Sequence, residues 1–136
     1  MELMEWSKTF ETGNPIVDGQ HKNLFRMVSD LHNSFKEKHS NKVLLDTIEK
    51  LSAYVVSHFK TEEDLMLSTF YPNYLDHKRE HESLKVQAAK LIKLHNMGIV
   101  DVTATVSKFL SDWLQHHIKE IDFKMIDWIK NNSGTN

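Results

Sequence analysis

Seven side chains with strong metal affinity interrupt what would otherwise be unbroken apolar stripes on four helical segments. They are His21 in the first segment, His58 and Glu62 in the second, His77 and His81 in the third, and His117 and Asp122 in the fourth. The apolar residues around them recur at three- and four-residue steps. Leu24, Val28, Leu31 and Phe35 follow His21; Leu44, Ile48, Leu51 and Val55 lead to His58, and Leu65 follows Glu62. Tyr74, Leu84, Ala88 and Leu91 flank the third pair, and Val106, Leu110 and Trp113 lead to His117. Such steps mark one face of a helix turning ~100° per residue. A polar group on a buried face is costly without a partner. A shared metal centre is the simplest account of all seven.

Breaks in the pattern set the architecture. Residues 1–17 show no period and read as an arm carrying Trp6, Phe10 and Ile16. Asn14-Pro15 disfavours helix there, so the first helix is predicted from Asp18. The polar run Lys36–Asn41 ends it, and Ser40 or Asn41 can cap the second. Ser68 to Pro72 separates the second helix from the third, with Pro72 suited to a first turn. Gly98 can close the third helix, and Asp101 or Thr103 can cap the fourth. From Ile118 the chain keeps apolar residues at Ile121, Met125, Ile126 and Ile129, which predicts a short docked helix. The polar end 131–136 is expected to fray. Only four Gly and two Pro in 136 residues fit a mostly helical chain. The expectation is an all-α, up-down-up-down antiparallel four-helix bundle with an N-terminal arm and a short C-terminal helix. It is read as one domain over 1–136, with the bundle and C-terminal helix at 18–130.

Residues i and i+4 of a helix lie ~6 Å apart along the axis and about 40° apart around it, so both can reach one ion. His58/Glu62 and His77/His81 are such pairs. His117 and Asp122 are five apart and do not share a face of a regular helix. The fourth helix is therefore expected to end near His117, with a turn returning Asp122 to the site. Seven ligands exceed the usual four of a zinc site, whereas two ions bridged by Glu62 and Asp122 would use them all. Imidazole and carboxylate ligands suit iron, zinc, manganese or copper, and spacing does not choose among these. The other histidines are set aside. His32 lies about three turns past His21, His39 falls in a polar loop, and His95 is ~21 Å from His81 along the axis. His116 must point away if its neighbour His117 points in. Phe25, Val55 and Met66 read as packing.

The chain has no cysteine, which removes disulfides, thiolate metal sites and thiol nucleophiles from consideration. Its formal net charge of −2 argues for neither nucleic acid nor an anionic membrane as partner. No run of about 18 apolar residues exists to span a bilayer. The opening MELMEWSKTFETGNP lacks an apolar run behind a basic start, so no signal peptide is expected and the cytoplasm is the expected compartment. A monomer is expected, since no large apolar face is left over.

Four strings together resemble the hemerythrin family, specifically its single-domain bacteriohemerythrins. They are Asp-Gly-Gln-His21-Lys, His58-Phe-Lys-Thr-Glu62, His77-Lys-Arg-Glu-His81 and Trp113-Leu-Gln-His-His117-Ile-Lys-Glu-Ile-Asp122. The likeness spans nearly the whole chain, and the five-residue step from His117 to Asp122 is part of it. It implies two non-haem iron ions with an oxo or hydroxo bridge. One iron would be held by His77, His81 and His117, and the other by His21 and His58, with Glu62 and Asp122 bridging. The second iron would keep an open position where O2 binds reversibly as hydroperoxide. Proton transfer from the bridging hydroxide would leave the net charge of the centre unchanged, which avoids a solvation cost in a low-dielectric core. Trp113, Leu114 and Ile118 resemble the family's O2-pocket wall. The implied role is O2 carrier, store or supplier, not enzyme, with an unidentified protein as recipient of the O2. Competing readings are O2 or redox sensing through a partner, a di-iron oxidase or peroxidase, and redox-inert metal buffering. Five His against two bridging carboxylates, and no Glu-x-x-His feeding the site, disfavour oxidase chemistry. Glu80 and Glu82 beside His81 have the wrong spacing and should face away.

Overall fold

A computed structural model of the chain describes residues 6–36, 41–96 and 103–132. Within them lie five helices and no strand: α1 (Pro15–Lys36), α2 (Asn41–Ser68), α3 (Tyr74–Asn96), α4 (Thr103–His116) and α5 (Phe123–Asn132). A 3-10 turn, Lys8–Phe10, precedes α1, and a π-helical segment, His117–Asp122, joins α4 to α5. α1 packs most extensively on α2 and α4, and α3 closes the bundle with sparser contacts to both. This is the expected antiparallel four-helix bundle with an N-terminal arm and a C-terminal helix. No helix among the described residues is long and apolar enough to cross a membrane.

Helix α1 starts three residues before the predicted Asp18, so residues 15–17 belong to it and not to the arm. Asn14-Pro15 acts here as a start signal. Proline lacks only an N–H that a first turn leaves unbonded anyway. Asn14, kept out of helical geometry by the following proline, caps the turn. Its Oδ1 accepts the N–H groups of Ile16 and Val17 at 3.0 and 3.1 Å. The Asp18 carboxylate then ties the arm down, accepting from the Thr12 N–H and hydroxyl, both at 2.8 Å, and from the Gly13 N–H at 3.1 Å. Gly13 has φ +95°, and Lys130 Nζ occupies the space a Cβ there would need. The arm buries Phe10 edge-on against Phe25, with ring centroids 4.8 Å apart, and Trp6 covers both.

Helix α2 ends at Ser68 with a left-handed residue, Phe70, at φ +59°. The Tyr71 N–H reaches the Met66 carbonyl at 2.9 Å and the Phe70 N–H reaches that of Leu67 at 3.3 Å. These two bonds satisfy carbonyls that a helix end leaves open. Pro72 falls two residues before α3 rather than within its first turn.

The fourth helix does not end near His117. Backbone angles stay helical on both sides of the π segment, at His116 (φ −64°, ψ −47°) and Phe123 (φ −59°, ψ −42°). The chain winds more widely instead of turning back, and α4, the π segment and α5 form one continuous rod. Met125 and Ile126 of α5 are buried, each worth about 1.5–3 kcal/mol in apolar surface removed from water. Asn131 and Asn132 remain helical, so within the tail assigned to 131–136 only 133–136 lies outside the described residues. The caps proposed at Ser40, Gly98 and Asp101, the loop His39, and the side chains of Phe35, Leu44, Leu91, His95 and Val106 also lie outside them.

The interior has three layers. One apolar cluster includes Leu24, Val28, Leu51, Phe59, Leu84 and Leu114. A smaller one at the opposite end joins Val17, Met66, Tyr71, Met125 and Ile126. Between them lie His21, His58, Glu62, His77, His81, His117 and Asp122, all buried.

Candidate metal centre

The helical periods deliver the seven side chains to one level. His58 and Glu62 are successive turns of α2, and His77 and His81 of α3. His21 lies between Val17 and Leu24 on the buried row of α1. Asp122 reaches this level through the π segment. There the Phe123 N–H bonds the Ile118 carbonyl, a five-residue step instead of four. The wider turn brings residues five apart onto one face, as a regular turn does for residues four apart. His117 Nε2 and Asp122 Oδ1 are consequently 3.0 Å apart.

Two ligand sets result, and the carboxylates belong to both. Glu62 Oε1 lies 3.0, 3.4 and 3.9 Å from Nε2 of His81, His77 and His117. Glu62 Oε2 lies 3.0 and 3.2 Å from Nε2 of His58 and His21. Asp122 divides the same way, with Oδ1 3.0 Å from His77 and His117 and Oδ2 3.0 Å from His21. His117 Nε2 is 3.2 Å from Nε2 of both His77 and His81. One group is therefore Glu62, His77, His81, His117 and Asp122, and the other His21, His58, Glu62 and Asp122.

The spacing fits cations. Around an ion with bonds of about 2.1 Å, ligand atoms at right angles lie about 3 Å apart and opposed ones about 4.2 Å. The contacts above, 3.0 to 3.4 Å with one at 3.9 Å, follow that pattern. Nε2 of His58 and both Asp122 oxygens are buried without a hydrogen bond of good geometry. A native core rarely tolerates such atoms unless an ion or water occupies the space between them. Converging imidazole lone pairs and carboxylates, with no thiolate, suit a transition metal.

Without an ion, the two carboxylates favour protonated rings. Burial disfavours a charged imidazole, but Asp122 and Glu62 outweigh it, pushing His21 up to about 9 and His117 up to about 10. His77 is raised for the same reasons. Burial would raise Glu62, yet the surrounding imidazoles, His58 foremost, hold it well below the usual carboxylate range. For Asp122, burial and the Glu62 charge push upward, and His117 and His21 prevail.

A surrounding shell aims the ligands. His58 Nδ1–H donates to Gln20 Oε1 at 2.6 Å, and His81 Nδ1–H to Glu63 Oε2 at 2.9 Å. Each outward bond places the ring proton on Nδ1 and leaves the Nε2 lone pair facing inward. Phe59 stacks on His81 with centroids 3.8 Å apart and planes at 4°, and Trp113 on His117 at 4.3 Å and 13°. Ile118 is fully buried, Leu114 is 6% exposed, and Trp113 is half-buried on the flank. Gln20, Phe59 and Glu63 are the participants that the spacing argument misses. Each adjoins one of the seven in sequence, and Gln20 and Phe59 also fall within the motif strings quoted above. Several of the residues set aside can be placed. His116 is exposed, His32 lies half-buried with Nδ1 3.3 Å from the Ser107 hydroxyl, Met66 is packing, and Glu80 and Glu82 join neither ligand set.

A helical bundle with a buried His and carboxylate cluster is the architecture of a protein that could hold cations. The family model described as the hemerythrin HHE cation binding domain matches residues 12–129, and the chain belongs to the hemerythrin family. It is 35% identical to a bacteriohemerythrin of Methylococcus capsulatus (strain Bath) over 90% of this chain and 93% of that one. It is 32% identical to a myohemerythrin of Theromyzon tessulatum over 90% and 91%. A crystal structure of wild-type hemerythrin superposes with a TM-score of 0.82 at 35% identity, covering 90% of this chain and 94% of the other.

Proposed function

We propose that the protein binds O2 reversibly at a non-haem di-iron centre and acts as an O2 carrier, store or supplier. His77, His81 and His117 would hold one iron, His21 and His58 the other, and Glu62 and Asp122 would bridge them. The observation that carries this reading is the division of each carboxylate, one oxygen to each imidazole set. When bound, the iron pair supplies two electrons to O2 and recovers them on release. The protein's own part is to hold the ligands rigid and keep water out. Gln20 and Glu63 fix two imidazoles. The pocket beside the ligand rings is lined by Leu24, Phe59, Trp113, Leu114 and other apolar side chains. Such a wall offers water no hydrogen bonds and offers a substrate no acid or base, which favours a carrier over an enzyme. In the family reading, the chain is one hemerythrin-like domain, cytoplasmic and monomeric, passing O2 to a recipient protein.

Absorption spectra of the iron-loaded, reduced protein before O2, after O2, and after O2 removal test this. Charge-transfer bands that rise and then vanish support the proposal. Irreversible oxidation with turnover of an added reductant would replace it with an oxidase. Bound metal with no response to O2 would replace it with a metal buffer or structural site.

A further inference from the structure

An apolar cleft of about 250 Å³ opens between α2 and α3, beyond the ligand layer. Leu31, Ile48, Leu51, Val55, Leu84 and Ala88 line its depth, and exposed Val56 and Ala89 stand at its mouth. The space exists because Ala88 and Ala89 present methyl groups where α3 faces α2. Among the described residues, Ser52 and Lys85 are its only polar lining residues, both at the rim. The Lys85 ammonium is held there by Glu82 at 3.2 Å and lies 5.9 Å from the Phe59 ring centroid.

The cleft adjoins the pocket beside the metal centre, separated from it only by shared side chains. Leu51, Val55, Leu84 and Leu110 line both. The inner pocket ends on Phe59, Trp113 and Leu114, two of which stack on ligand rings His81 and His117. Its free volume is only about 10 Å³, about one small molecule's worth of space. Passage therefore needs side-chain rotation in the wall that the two cavities share.

We propose that this α2–α3 cleft is the entry and exit route for O2, with the inner pocket as its gate. The inference rests on the O2-binding reading above. The chemistry selects the occupant. A small apolar gas loses nothing on entering an aliphatic cleft, whereas water needs two to four polar partners that the depth does not offer. The opposite side of the centre differs. There a surface pocket reaching His77 mixes apolar Tyr71 and Ile121 with Asn73, Asp76, Glu80 and Lys124, whose polar groups can hold water. A centre that must admit O2 and exclude water thus has its apolar approach on the side of this cleft.

The test is stopped-flow O2 binding and release by the iron-loaded protein carrying Ala88→Phe, which fills the cleft, or Ala89→Trp, which covers its mouth from an exposed position. A plug raises the barrier without changing either end state. Association and dissociation should slow by the same factor, at least about tenfold for a barrier higher by about 1.4 kcal/mol, with O2 affinity and iron content unchanged. Unaltered rates in both variants, or a change in affinity without matched rate changes, overturn the route. Xenon binding, read by 129Xe NMR, is independent of the iron. Saturable binding in the wild type that Ala88→Phe abolishes is expected, and no binding overturns the cleft as a gas path. A wild type that takes xenon but forms no O2 adduct overturns the O2-binding reading and leaves the cleft as a gas chamber.

Discussion

The seam between α2 and α3 has two opposite characters along its length. At the ligand level His58, Glu62, His77 and His81 meet with polar atoms about 3 Å apart. Toward the other end Val55, Leu84 and Ala88 face one another across an aliphatic cleft. The first region is crowded and incomplete, because its lone pairs converge on space suited to a cation. The second is self-sufficient in chemistry and loosely filled. The α2–α3 seam would therefore be held by two different forces, apolar burial at the cleft end and, once loaded, ion coordination at the ligand level. Losses in the two halves should be separable.

The largest expected effect separates them outright. Glu62→Ala removes a shared ligand from both sets and leaves five buried imidazoles beside one carboxylate. Iron content should fall well below that of the wild type, with a stability loss of about 3–5 kcal/mol, the usual result of breaking a buried charge network. Leu51→Ala in the apolar half should cost a comparable 2–5 kcal/mol yet leave iron content intact. Iron analysis and denaturant titration of the two variants side by side would collapse the comparison if both lost metal or neither did.

The next effect concerns protons. In the metal-free protein His21 and His117 have pKa values raised to about 9 and about 10 from 6.5. Their contribution to stability is complete below about 6.5, and it is lost as pH rises through 9 to 10. The melting temperature of the metal-free protein should fall over that interval, and iron uptake at neutral pH should release protons from these rings. A melting temperature flat from pH 6 to 10 would contradict it. Smaller still, Gln20→Ala should weaken metal retention roughly 10- to 100-fold by freeing the His58 ring, as read by competition with a chelator. The smallest change lies outside both regions. Phe70→Gly relieves a left-handed conformation that costs a side-chain-bearing residue roughly 1–2 kcal/mol, partly offset by the greater unfolded-state freedom of glycine. A denaturant midpoint raised by about 1 kcal/mol equivalent is expected, with iron content unchanged.

These regions were not equally legible in the sequence. The i,i+4 pairs on α2 and α3 were readable because a regular helix fixes their geometry, and the apolar rows placed them inside. The π turn at His117 was not, since no side chain there advertises a wider winding and an expected helix end accounted for the spacing equally well. The start at Pro15 was misread because one dipeptide can exclude a helix or open it, and the Asn14 cap decides which. Phe70 gave no warning either, for a bulky aromatic is an unfavourable choice at positive φ. Gln20 and Glu63 do their work through orientation, which depends on where α1 and α3 dock and not on any local spacing.

The π segment can also be seen as a correction of phase. A regular helix advances about 100° per residue. Counted from Leu110, Ile121 would then stand about 20° from the inward direction and Asp122 about 120° from it. An isoleucine would project into the polar layer and the second carboxylate would point sideways. The wide turn delays the rotation by one residue's worth, so that Asp122 is buried and Ile121 is only half-buried. Met125 and Ile126 arrive on the buried side by the same delay. Regularising this helix in a redesign, with the sequence left as it is, would keep a four-helix bundle and erase its centre.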